Sequence, residues 1–121
     1  MLSKEQIQKA VDWWTKVIKK PKFDNGDDSF QNEILRGEAE ERVMVLTPIH
    51  IKKFRFVFEK ALNAVSELCG LHCDYRPDEF LSDVMHEAGI PLTNMPWKTN
   101  MWFLGGKVIV SYGYGAKQEE I

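Results

Sequence analysis

The chain has 121 residues, 44% of them hydrophobic and 28% charged, with a formal net charge of −2 at pH 7. Such a chain is one globular domain, residues 1–121, able to bury a core without disulfide or metal staples, and disorder is excluded. The charge balance gives no whole-molecule attraction to nucleic acid or acidic membranes, and no apolar run approaches the ~20 residues that span a bilayer.

The first residues, Met1-Leu2-Ser3-Lys4-Glu5, lack the apolar segment of a signal peptide, so a reducing cytoplasm is the expected setting. Ser3 with Gln6 forms a capping-box signature. Ile7, Ala10, Val11, Trp14, Val17 and Ile18 follow at helical spacing, and Pro21 stops the helix. Trp13 lies beside this stripe, so either the stripe is wide or the indole faces a partner.

The stretch Phe23-Asp24-Asn25-Gly26-Asp27-Asp28-Ser29 is dense in turn formers and acids. A calcium loop would need ligands at alternating positions before its glycine and a glutamate six positions after it. Pro21, Lys22 and Phe23 precede Gly26 and Asn32 stands six beyond, so the pattern fails and a solvated turn is expected. Asp28 or Ser29 then caps a helix over roughly 30–45, with irregular apolar positions Phe30, Ile34, Leu35, Ala39 and Val43, weakened by Gly37.

Thr47-Pro48 is a helix start, an N-cap followed by proline in the first turn. Ile51, Phe54, Phe58, Ala61, Leu62, Val65 and Leu68 continue one stripe for about five turns, and Gly70 suits the C-terminal cap. Phe56 and Val57 lie off the stripe, which predicts a central helix packed on more than one side. An extended piece from Leu71 to Tyr75 leads to Pro77. A fourth helix carries Phe80, Leu81, Val84, Met85 and Ala88, and Gly89 ends it.

After a loop bracketed by Pro91 and Pro96, two β-rich runs meet at Gly105-Gly106, which reads as a hairpin because both turn residues accept positive φ. A two-residue turn places Leu104 opposite Lys107, Phe103 opposite Val108, Trp102 opposite Ile109, Met101 opposite Val110 and Thr99 opposite Tyr112. Opposed residues share a face. Met101, Phe103, Val108, Val110 and Tyr112 therefore face the helices, while Asn100, Trp102, Leu104, Ile109 and Ser111 face away. A two-stranded ribbon is marginal in water, so a third strand, another subunit or a partner must cover that outer face. The fold class is α+β: about four helices followed by a C-terminal antiparallel hairpin.

The chemistry-bearing residues are sparse. Cys69 and Cys73 are too close in sequence for a useful bridge and are read as free thiols, Cys69 in the core at a helix end. With His72 and His86 they form no standard zinc spacing. A Cys73 nucleophile, the basis of a small thiol hydrolase, needs a base such as His72, His50 or His86. Adjacent residues in an extended segment point to opposite sides, which disfavours His72. The glycines of Tyr112-Gly113-Tyr114-Gly115 would cradle phosphate only before a helix, and too little chain follows. Lys16, Lys19, Lys20 and Lys22, with Lys52, Lys53 and Arg55, could join Trp97, Lys98, Trp102 and Tyr114 as a nucleotide or nucleic-acid surface. The competing account is solvated helix faces, since acids outnumber bases.

Asp74-Tyr75-x-Pro77, Glu87-Ala88-Gly89-Ile90, Pro96-Trp97-Lys98-Thr99-x-Met101-Trp102 and Ser111-Tyr112-Gly113-Tyr114-Gly115-Ala116 give the C-terminal half a texture that resembles small uncharacterised accessory proteins of tailed phages and prophages. The resemblance implies a phage accessory protein, a class that includes antagonists of host defence, anti-CRISPR proteins among them. It supplies no catalytic residues. The expectation is a non-enzymatic protein without metal or cofactor that binds a host protein or sequesters a ligand, and that self-associates as a homo-oligomer. Its interaction surface comprises Trp13, Trp97, Lys98, Trp102, Leu104, Ile109 and Tyr114, because large aromatic anchors dominate interfaces.

Overall fold

In the computed structural model, which describes residues 1–121, capping fixes where each helix starts. Helix α1 (Lys4–Lys19) begins with the full capping box between Ser3 and Gln6. Ser29 caps α2 (Phe30–Glu41), Thr47 caps α3 (Pro48–Ala64) and Asp78 caps α4 (Glu79–Ala88). Gly89 closes α4 with φ +73°, a left-handed value that costs glycine nothing. A single 3₁₀ turn (Leu92–Asn94) follows.

The hairpin strands β2 (Thr99–Leu104) and β3 (Lys107–Tyr112) pair in the expected register, Trp102 opposite Ile109 and Leu104 opposite Lys107. Gly105 and Gly106 both carry positive φ in the turn, +54° and +82°. Two further strands extend the ribbon. β1 (Gly70–Cys73) pairs antiparallel with β2, setting Gly70 opposite Trp102, and β4 (Glu119–Glu120) pairs antiparallel with β3. The result is a four-stranded antiparallel sheet in the order β1-β2-β3-β4.

Three expectations change. Helix α3 ends at Ala64, Val65 is extended, and Gly70 opens a strand instead of capping the helix. Helix α2 ends at Glu41, earlier than the apolar pattern through Val43 implied. Cys69 is exposed, because the chain leaves the helix before reaching it.

One cluster of 22 buried residues binds α1, α3, α4 and the inner sheet face together, with Trp14, Phe54, Phe58, Leu71 and Met101 almost wholly enclosed. Burying each such side chain stabilises the fold by roughly 1.5–3 kcal/mol. Helix α3 lies between α1 and α4; of the two off-stripe residues that implied packing on more than one side, Val57 is buried but Phe56 is exposed. Leu71, Cys73, Met101, Phe103, Val108 and Val110 supply the sheet's contribution to the core. Helix α2 contributes no residue to this cluster. Its one buried side chain is polar, Asn32, while Phe30, Ile34 and Leu35 are exposed by 76%, 48% and 53%.

Candidate functional site

The residues named from the sequence separate into four places. Trp13 packs edge-on against Trp14 and Tyr112, at ring distances of 5.1 and 5.5 Å. It belongs to the margin of the core, so the stripe of α1 is wide. The Tyr112 hydroxyl accepts from Lys22 N–H and donates to the Lys20 carbonyl, and Lys22 Nζ lies 4.6 Å from the ring centre. Burial pushes the Tyr112 phenol upward. Arg55 of the second basic group is bound at 2.6 Å to Asp12, joining α3 to α1. Lys20, Lys22 and Arg55 of the basic clusters therefore carry structural contacts.

The outer sheet face holds Trp102, Leu104 and Ile109. Trp102 and Ile109 are cross-strand partners and Leu104 lies two residues along β2 on the same side. The extra strands lengthen the sheet sideways, and the tail after β3 folds back over the Ser111 end of this face. Leu104 is 54% exposed, and Trp102 and Ile109 are partly exposed. His72 packs edge-on against Trp102 at 5.9 Å and its Nδ1 is 2.9 Å from Asn100 Oδ1. Lys107 and Glu120 form an ion pair at 3.5 Å beside Ile109. Ser111 lies on this outer face as expected but is buried there, its hydroxyl donating to the Ala116 carbonyl of the returning tail.

Lys98 and Tyr114 line a small cleft of about 220 Å³ with His72, Asn100 and the glycines at 113 and 115. Lys98 takes the uncommon φ of +51°, its N–H donates to the Asp74 carbonyl at 2.7 Å, and its ammonium pairs with the Asp74 carboxylate. The side-chain hydrogen bond to the Asp74 carboxylate holds the Lys98 pKa above its ordinary value. The Lys98 charge is thus already matched. Tyr114 lies over Gly26, where a Cβ would run into its ring.

Cys73 and His72 occupy opposite faces of β1, as the alternation of a strand requires. Cys73 is buried and its Sγ donates to the Pro96 carbonyl at 2.9 Å. Burial, then the nearby charges of Asp78 and Asp74, push its thiol up to about 12. A nucleophilic cysteine needs the opposite shift. Cys69, His72, Cys73 and His86 are not gathered into a metal-binding cluster.

Trp97 leads to a larger concavity than the cleft at Lys98. A groove of about 590 Å³ opens between α2, the turn at 74–77, the 3₁₀ turn and Trp97. Trp97 packs edge-on between Phe23 at 5.4 Å and Tyr75 at 5.3 Å. Leu35, Arg42, Leu92, Met95 and Arg76 complete much of its wall. Helix α2 spans the groove as a strap held at its ends by polar contacts. At one end Asn25 and Asn32 exchange side-chain hydrogen bonds, and Asn32 Nδ2 also reaches the Asp27 carbonyl. At the other, Thr93 Oγ1 donates to the Arg42 carbonyl, and Asn94 bonds both backbone groups of Met44. The acidic loop itself is a series of side-chain turns, in which Asp24, Asn25 and Asp27 each accept from the N–H two residues on.

The sequence reading missed the groove and its residues Tyr75, Arg42 and Arg76. The one legible signal was the irregular apolar pattern of α2, which marks a helix without a continuous core face. No helix is long and apolar enough to cross a membrane. No family model, curated protein or solved structure matches this chain.

Proposed function

We propose that the chain is a non-enzymatic binding protein, of the phage accessory type that its C-terminal half resembles, acting on a host protein in the manner of a defence antagonist. The observation that supports this reading is the partly exposed outer sheet face. There Trp102, Ile109 and Leu104 form one apolar patch, bordered by the His72–Asn100 pair on one side and the Lys107–Glu120 pair on the other. An aromatic anchor with aliphatic neighbours inside a polar rim is the anatomy of an energetic centre in protein interfaces. The short edges, β1 of four residues and β4 of two, discourage strand addition. Contact is therefore through the face and its side chains. A thiol hydrolase is disfavoured by the buried, upward-shifted Cys73.

Affinity capture from bacterial lysate, with solution mass measured alongside, tests this. The expected outcome is a stoichiometric bacterial protein retained by the native chain and weakened about 30-fold or more by Trp102→Ala, the loss of a central anchor worth at least about 2 kcal/mol. The variant should keep its cooperative unfolding. If Trp102→Ala retains the same protein undiminished, the reading is wrong. If the native chain is a dimer that Trp102→Ala dissociates, and nothing else is bound, the face is a seam between copies.

A further inference from the structure

We propose that the groove beneath α2 is a binding site for a planar aromatic anion of nucleotide size, with Arg42 and Arg76 holding the anionic group and the aromatic wall receiving the ring. Its volume, about 590 Å³, falls within the ~300–1,000 Å³ typical of small-molecule sites. One wall is the continuous run of Phe23, Trp97 and Tyr75, each meeting the next edge-on. Such rings already hold one another in place, so a planar ligand would meet a preorganised surface.

The charge pattern specifies the rest. Arg42 and Arg76 both line the groove, and neither belongs to any of the chain's ion pairs, which are made by Lys9, Arg55, Lys98 and Lys107. No side-chain hydrogen bond occupies either guanidinium. Arg42 caps the C-terminal end of the strap and Arg76 belongs to the turn at 74–77, so the two cations line the groove from different elements. Glu38 is the single carboxylate on the wall; it lies one helical turn before Arg42 and makes no ion pair with it. The groove therefore carries a local excess of positive charge on a chain of net charge −2. Guanidinium forks match phosphate and carboxylate oxygens bidentately. A free Glu38 is an acceptor suited to an N–H on the ring. The nucleotide set expected from the sequence shared only Trp97 with this site, because Lys98 is neutralised by Asp74 and Trp102 lies on the outer sheet face.

The proposal is independent of the protein partner of the sheet face. Its test is calorimetric titration of the purified chain with the four common nucleoside monophosphates, an indole carboxylate, the uncharged nucleosides and inorganic phosphate. A ring bearing an anion should bind at least about tenfold more tightly than the nucleoside or phosphate alone. Arg42→Gln with Arg76→Gln should weaken it at least about tenfold, as should Tyr75→Ala, and raised salt should weaken it further. Binding by mononucleotides assigns phosphate as the anion; binding by the indole carboxylate alone assigns a carboxylate. Absence of binding by both classes at millimolar concentration overturns the proposal, as does binding that survives replacement of both arginines. Trp102→Ala should leave this titration unchanged, which separates it from the protein-binding reading.

Discussion

Asn25 and Asn32 form a reciprocal amide pair: Asn25 Nδ2 donates to Asn32 Oδ1 at 2.7 Å, and Asn32 Nδ2 donates back to Asn25 Oδ1 at 2.8 Å. This pair docks the start of α2 on the acidic loop, in place of the apolar contacts that dock the other helices. Asn32→Asp removes the returning donor and sets a carboxylate against the Asp27 carbonyl. Opening of α2 should become easier by about 2 kcal/mol, while the core unfolds almost as before, because α2 is absent from it. Tryptic cleavage after Arg36, compared with the global unfolding midpoint, distinguishes local from global loss.

Asn94 ties the far end of the α2 segment to the end of α1. It is fully buried, donates to the Ile18 and Met44 carbonyls at 3.0 and 2.9 Å, and accepts from Met44 N–H at 2.8 Å. Asn94→Ala strands three buried or part-buried backbone groups. It should lower global stability by about 3 kcal/mol, read as a fall in the urea midpoint with little change in slope.

The thiols should divide sharply. Cys69 is exposed, whereas Cys73 is buried with its pKa pushed up to about 12. Iodoacetamide at mildly alkaline pH should label one thiol per native chain, and Cys69→Ser should abolish that labelling until denaturant is added. Rapid labelling of native Cys69→Ser would contradict the burial of Cys73.

Gly26 combines φ +78° with a neighbour, Tyr114, whose ring occupies the space a Cβ would need. Gly26→Ala should destabilise the chain by about 2 kcal/mol or more, from left-handed strain and the clash together. In a Tyr114→Ala background the clash disappears and only the strain of about 1–2 kcal/mol remains. A double-mutant cycle should therefore give a coupling above about 0.5 kcal/mol.

The Arg55 hydrogen bond, strengthened by one from Gln8, holds the Asp12 carboxyl below its ordinary value of 3.8. A depressed folded-state pKa stabilises above the unfolded value and loses that contribution as pH falls through the lowered one. Both groups are partly exposed, so the contribution is about 0.2–1 kcal/mol. Asp12→Asn should be less stable than the native chain at neutral pH. The difference should shrink as the pH drops below 3.8, measured by urea unfolding across that range.

Features set by neighbours in the chain were legible in the sequence by itself. The capping box at Ser3, the Thr47-Pro48 start, the Gly89 stop and the hairpin register all depend on contacts within a few residues or across a two-residue turn. Periodicity likewise located most of the core, since a helix or strand needs one apolar side to bury. Tertiary structure alone decided the four-stranded sheet. β1 meets β2 across some thirty intervening residues, Gly70 opposite Trp102, and no local pattern in a strand of four residues encodes that pairing. The same holds for α2, where a polar residue turns inward because its partner, Asn25, happens to lie beneath it. The groove follows from that placement. Its aromatic wall and two arginines come from the first loop, α2, the turn at 74–77 and the segment before β2. A site assembled from four separate stretches has no motif, because only folding brings its residues within reach of one ligand.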